Sequence, residues 1–173
     1  MEYVLLVGVH GVGKSYLLNE LSGSISLQII SISDLIRKSG KKIDRGNKLV
    51  SNIKENQELW KEELKALSFN DGDLVVLDGH LSLLNQEGVI KKLPLSTFNG
   101  IKIKKIILKC EKPELIQERL YTRDGKKWTI DLITKFQQVE KTRAELLSKE
   151  YNIPLFIYEN KNQLEKLTSF ISE

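Results

Sequence analysis

Apolar positions along this chain fall into short blocks separated by longer stretches in which they recur every three or four residues. The blocks Tyr3 to Val7, Leu27 to Ile32, Leu74 to Leu77, Ile103 to Leu108 and Leu155 to Tyr158 have the length and apolar character of buried strands. Between Lys48 and Leu67, the residues Leu49, Ile53, Trp60, Leu64 and Leu67 keep spacings of three, four or seven and share one helical stripe, which predicts a long amphipathic helix. Pro113 with Glu114 suits a helix start, and Leu115, Ile116, Arg119 and Leu120 carry that helix to the polar stretch Thr122 to Thr129, read here as a short mobile flap. A further helix runs from about Ile130 to Lys149; Asn152 and Pro154 lead into the last strand, and Asn162 to Ile171 form a closing helix. Strands alternating with helices predict an α/β fold: a five-stranded parallel sheet covered by helices on both faces, with a short lid.

The first strand runs directly into Gly8-Val9-His10-Gly11-Val12-Gly13-Lys14-Ser15, a Gly-x-x-x-x-Gly-Lys-Ser sequence that opens a helix. In that context it is a phosphate-binding loop, and the predicted architecture becomes the three-layer P-loop NTPase fold. Glycines at 8, 11 and 13 let successive N–H groups point inward, and the helix adds its positive end. Lys14 is placed to reach the β and γ phosphates, and the Ser15 hydroxyl to join the shell of a magnesium ion. The nucleotide is expected on Gly8, His10, Gly11, Val12, Gly13, Lys14, Ser15 and Tyr16. A glycine-rich turn that merely caps a helix is the plainer alternative.

Composition narrows the class without changing it. A chain of 173 residues suits one domain, and 27 Lys plus Arg against 23 Asp plus Glu give a net charge of +4, mildly basic and accounted for by phosphate-handling pockets. The single cysteine, Cys110, excludes a disulfide framework or cysteine metal cluster and reads as a small buried residue near a strand end rather than a reactive thiol. With no signal-like start and no apolar stretch long enough to cross a bilayer, a soluble cytoplasmic protein without membrane partners is expected.

Three further places carry candidate chemistry. Ser31-Ile32-Ser33-Asp34-Leu35-Ile36-Arg37 lies where the second strand turns into a helix, on the carboxyl edge where such sheets bind ligands. There Asp34 and Arg37 are either a cap and a solvated cation or, beside a phosphate loop, a grip for a second phosphate. The third strand ends in Asp78-Gly79-His80. Asp78 is the expected magnesium-side carboxylate, an ordinary Asp-Gly turn being the alternative, while Gly79 allows close approach of a ligand. His80 either contacts acceptor phosphate or is held by backbone, and with His10 and His80 the only histidines no histidine metal site arises. Arg119, Arg123 and Arg143 bracket the flap and could bring guanidinium groups over a transferring phosphoryl, although each alone also suits the surface. Lys126 and Lys127 read as a solvated flap tip, and Trp128 as packing beneath the flap rather than a base cover.

On these motifs the chain resembles the P-loop nucleoside monophosphate kinases, most closely the small archaeal-type adenylate kinases and their relatives in ribosome assembly, over nearly its whole length. Gly8 to Ser15 resembles the family's phosphate loop, Asp34 with Arg37 its monophosphate corner, and Asp78-Gly79-His80 the Asp-Thr-His that ends its third strand. Gly88 to Pro94 resembles the Gly and Leu-Pro segment that follows, Arg119, Arg123 and Arg143 the lid and post-lid arginines, and Glu159-Asn160-Lys161-Asn162 the turn before the last helix. The resemblance implies a single kinase domain over 1–173, with a monophosphate-binding segment at about 33–68 and a lid at about 119–130. It also implies ATP and Mg2+ as cofactors, and catalysis by Lys14, Arg119, Arg123 and Arg143 with Ser15 and Asp78 at the metal. Asp34, Arg37, Gly79 and His80 would face a nucleoside monophosphate acceptor. Two positions depart from the pattern: Gly79 stands where the archaeal proteins have Thr, and Ser82 replaces the arginine of the bacterial Asp-Gly-Phe-Pro-Arg sequence.

Two other functions remain open from the sequence. With a hydroxyl acceptor, as in small-metabolite or deoxynucleoside kinases, Asp34 would serve as general base. Alternatively the site drives an ATPase switch in ribonucleoprotein assembly, in which Lys91, Lys92, Lys102, Lys104, Lys105 and Lys109 mark an RNA-contacting face; solvated strand ends explain those lysines more simply.

Overall fold

The computed structural model describes residues 1–39, 60–85, 87–125 and 127–173. In chain order its elements are β1 (Tyr3–Val7), α1 (Lys14–Ser22), β2 (Leu27–Ser31), α2 (Ile32–Ser39), the helical residues 60–65 (α3), β3 (Leu74–Asp78), β4 (Ser82–Leu84) and β5 (Ile90–Lys92). A 3-10 turn at Leu95–Phe98 follows, then β6 (Ile103–Lys109), α4 (Pro113–Asp124), α5 (Ile130–Tyr151), β7 (Leu155–Tyr158), a second 3-10 turn at Lys161–Gln163 and α6 (Leu164–Ser172).

The five predicted strands pair in the order β2-β3-β1-β6-β7, all parallel, so their carboxyl ends share one edge. β1 is buried along its whole length at the centre, and alternate residues feed opposite faces, the period-two pattern of a strand covered on both sides. Tyr3, Leu5 and Val7 pack with Val75, Leu77, Ile106 and Leu108 under α2, α3 and α5, represented by Leu35, Trp60, Leu64, Ala144 and Leu147. Val4 and Leu6 pack with Val76 and Ile107 under Leu17, Leu18 and Leu21 of α1 and Leu167 and Ile171 of α6. The expected three-layer P-loop fold is therefore present, with six helices among the described residues.

Two expectations change, and one segment without a predicted element gains one. The polar residues Thr122 to Asp124 belong to α4, which continues until Gly125 caps it at φ 64°; of the expected flap only 125 and 127–129 among the described residues lie outside a helix, and the Thr129 hydroxyl accepts from Leu132 N. Polarity there marks the solvated face of a helix rather than a loop, because Leu120 still faces the core while Tyr121 to Asp124 are exposed. The segment after β3 folds into the antiparallel β4–β5 hairpin, closed by Asn85 Oδ1 accepting from Glu87 N and Val89 N. Lys105 and Lys109 do not form a solvated or RNA-facing row: both are 7% exposed, Lys105 Nζ donating to Phe170 O and Lys109 Nζ to Cys110 O. Their long stems lie along buried surface, with ammonium groups over the rings of Phe170 and Tyr158. Leu49, Ile53, the 48–59 part of the helix predicted between Lys48 and Leu67, and Lys126 lie outside the described residues, whereas Trp60 and Leu64 are core.

Candidate functional site

β1 delivers Gly8 to the carboxyl edge of the sheet, and α1 starts at Lys14 with Gly13 in the left-handed region as its N-cap and no side chain on its first-turn amides. Those amides are the helix's natural anion donors. Gly8 sits at φ 155°, and a Cβ there would stand 2.7 Å from the Lys109 carbonyl oxygen at the end of β6, so only glycine lets the loop leave β1 this close to its neighbour.

Lys14 is the centre of the arrangement. Its ammonium lies 3.0 Å from Gly8 O, 2.8 Å from Gly79 O, 2.9 Å from His80 Nε2 and 3.2 Å from Asp78 Oδ1. The adjacency of β1 and β3 makes this convergence: Leu6 is in register with Asp78, and Gly79 N donates to Leu6 O at 3.0 Å. Burial pushes the Lys14 pKa down, against the pull of Asp78. Burial, then the Lys14 ammonium, then His10 hold the His80 pKa well below its usual value, which keeps its ring neutral and able to accept from Lys14. The His10 and His80 rings face each other at 4.3 Å between centroids.

Over the loop lies Arg119 of α4, whose guanidinium donates to Gly11 O and Val12 O at 3.3 and 3.1 Å and to Glu111 Oε2 at 3.2 Å. Burial opposes ionisation of Glu111, but the Lys112 amide and the cations Lys109 and Arg119 outweigh it and lower its pKa. Gln137 of α5 completes the support by exchanging hydrogen bonds with the Glu111 backbone. Val9 and Val12 of the loop pack with Ile116, Leu120, Ile133 and Phe136, and Trp128 joins that cluster 6.1 Å from the Phe136 ring, so it packs beneath the flap as expected.

The remaining expected residues divide. Ser15 and Tyr16 are exposed at the first turn of α1, and Tyr16 receives Lys161 Nζ at 2.7 Å on its hydroxyl and 4.8 Å over its ring. Asp34 and Arg37 are exposed and bonded to each other at the start of α2. Arg123 is bound to Asp124, and Arg143 donates to Leu93 O, so neither lies over the loop in this arrangement. Ser82 is fully buried on β4 and turned to Glu140 of α5, whose other carboxylate oxygen accepts from Leu81 N at 2.9 Å. Cys110 has its thiol pushed up to about 11 by burial and then by Glu159, in keeping with a structural residue.

Glu140 and Glu111 were not singled out by sequence, and Lys109 only as part of a candidate RNA-contacting face. For Glu140 the signal was present: Ile133, Phe136, Glu140, Ala144 and Leu147 are the buried positions of α5 at helical spacing, so a carboxylate occupies the apolar stripe. Among the described residues no three His, Cys, Asp or Glu side chains gather into a metal-holding group, and no helix is long and apolar enough to cross a membrane.

No curated protein matches the chain. Among solved structures, the unliganded crystal structure of a sugar kinase from Janibacter sp. HTCC2649 is similar, with 14% identity and a TM-score of 0.55 over 99% of this chain and 95% of that one, a likeness of fold. The sequence profile of the AAA domain family matches residues 7–137, from the end of β1 into α5 and through every loop residue described above. The chain belongs to that family and has a P-loop, kinase-like fold.

Proposed function

We propose that this protein is an ATP-dependent phosphotransferase that moves the γ-phosphoryl group of ATP to the phosphate of a nucleoside monophosphate. The observation that carries the reading is the convergence of Gly8 O, Gly79 O, His80 and Asp78 on the Lys14 ammonium, with Arg119 laid across the same loop. Lys14 would exchange its carbonyl partners for phosphate oxygens. Arg119, already over the loop, would offset charge on the equatorial oxygens, and Arg123 and Arg143 would join only by leaving Asp124 and Leu93 O. Asp34 and Arg37 on α2, with Gly79 and His80 after β3, would face the acceptor. An anionic acceptor needs no general base, so catalysis would rest on positioning and charge neutralisation.

The residues fit magnesium. Asp78 Oδ1 has the Lys14 ammonium at 3.2 Å but no well-aligned hydrogen bond, and Ser15 offers an exposed hydroxyl, so both are hard oxygen ligands with capacity to spare. Asp78 and Ser15 would hold the ion, which would supply charge neutralisation at the phosphates of ATP.

A hydroxyl acceptor with Asp34 as base is the second reading, favoured by one observation: Ser82, at the place where bacterial adenylate kinases carry the acceptor-gripping arginine, is buried against a carboxylate. The structurally similar sugar kinase is in keeping with it. The ribonucleoprotein reading loses support, since Lys105 and Lys109 turn inward and Lys102 and Lys104 pair with Glu2. A coupled assay for ADP release, run with each nucleoside monophosphate and with none, tests the proposal. Stimulation by one monophosphate that largely survives in Asp34→Asn supports it; turnover indifferent to all monophosphates overturns it. Stimulation by a sugar or other alcohol that Asp34→Asn abolishes establishes the second reading.

A further inference from the structure

Glu140 is 1% exposed yet has no place in the phosphotransfer scheme above, and it is tied to the segment that carries the scheme. The five residues from Asp78 to Ser82 leave β3 and supply three of the four groups on Lys14. Their upstream end is fixed to the sheet, through the register of Asp78 with Leu6 and the bond from Gly79 N to Leu6 O. Their downstream end is fixed by α5 instead: Leu81 N and Ser82 Oγ both donate to the Glu140 carboxylate. One turn further along α5, Arg143 donates to Leu93 O, and Leu93 N donates to Leu81 O at 2.9 Å, so the neck of the β4–β5 hairpin is held at entry and exit by a single helix. That helix begins at Ile130, directly after the flap.

Burial alone pushes the Glu140 pKa up, against the pull of its Ser82 and Leu81 donors and of Lys14, and the net direction is upward. A carboxylate held there against burial, with both oxygens engaged, fixes backbone position more firmly than an apolar side chain of similar size, because each lost partner leaves a buried donor unpaired.

We propose that Glu140 is a positioning residue for phosphoryl transfer: by clamping Leu81 and Ser82 to α5 it sets where Gly79 O and His80 hold Lys14. The inference rests on the phosphotransfer reading for its catalytic consequence, but the clamp itself is measurable without turnover. The experiment uses the full chain as wild type, Glu140→Gln, Glu140→Ala and Ser82→Ala, with steady-state kinetics and the 15N shift of the His80 Nε2 nitrogen, which reports its hydrogen bond from Lys14. Ser82→Ala removes one donor but leaves the carboxylate its bond from Leu81 N, so it provides a milder variant should the Glu140 substitutions unfold. The expected result is a kcat about tenfold lower in Glu140→Gln with KM for ATP nearly unchanged, a smaller fall of the same kind in Ser82→Ala, and a displaced His80 signal in both. An unmoved His80 signal with unchanged kcat in folded Ser82→Ala and Glu140→Gln overturns the proposal, as does a fall confined to KM. Should the wild type transfer no phosphoryl group, the phosphotransfer reading fails by itself, and the His80 signal still decides the clamp.

Discussion

Gly8→Ala is the sharpest structural test of how the phosphate loop is built. The new methyl group would meet the Lys109 carbonyl oxygen at 2.7 Å and Val12 Cγ1 at 3.0 Å, on a residue at φ 155°. The first contact is backbone in the neighbouring strand β6, so it cannot be relieved by a rotamer change. Backbone strain at such an angle costs about 1–3 kcal/mol, and forcing a methyl group into packed surroundings about 1–3 kcal/mol more. Together that is about 2–6 kcal/mol, a fall of about 5–20 °C in melting temperature for a chain of this size. Gly72→Ala is the matched control: Gly72 has φ 90°, but a Cβ there meets nothing within 4 Å, so strain acts alone. Its expected cost is about 1–2 kcal/mol. Circular dichroism melts measure both, and calorimetric titration with MgATP follows the loop, where Gly8→Ala is expected to weaken binding at least about tenfold and Gly72→Ala to leave it unchanged. Equal melting temperatures for the two variants, with MgATP binding intact in Gly8→Ala, would refute the argument that β6 closes against the loop.

Three further outcomes are expected. Replacing Arg119 by Ala should lower kcat about 100- to 1,000-fold while moving the melting temperature little, since its side chain is 44% exposed; steady-state kinetics beside a thermal melt check this. The depressed His80 pKa means the unfolded chain takes up a proton there first as pH falls, so stability from this group is complete above the unfolded value near 6.5 and declines below it. Denaturant unfolding between pH 7.5 and 5 should show a shallower acid loss in His80→Gln than in wild type; the raised pKa of Glu140 works in the opposite direction and is common to both chains. Cys110, with its thiol near 11, should react slowly with a thiol reagent at pH 8 in the native protein and rapidly in denaturant.

The sheet was legible because each strand is a compact apolar block bounded by glycine, proline or polar residues, and the structure starts all five strands where the pattern does. The phosphate loop was legible for a different reason, since its chemistry needs particular residues at fixed spacing. What escaped was whatever depends on which way a polar side chain turns. Thr122 to Asp124 look like a loop by composition, yet a helix accepts any good former on its wet face and ends only where Gly125 ends it. Lys105 and Lys109 look like surface charges, yet a long aliphatic stem can lie inside a sheet layer while its ammonium finds a carbonyl. Arg143, expected to bring its guanidinium over a transferring phosphoryl, sits on α5 beside Leu93, a partner that the spacing of the sequence does not reveal. Glu140 shows the reverse case: one charged residue in an otherwise apolar helical stripe signals a buried polar contact, but the sequence does not say with what.

On the proposed function, Lys14 and its ring of partners serve transfer to an acceptor rather than hydrolysis. Incubating the protein with magnesium, ATP labelled in the γ-phosphoryl group and each nucleoside monophosphate, then separating the products, tests this most directly. Label is expected in one nucleoside diphosphate, absent without that monophosphate and absent in Lys14→Met. Label recovered only as inorganic phosphate, at the same rate with and without every monophosphate, would contradict it.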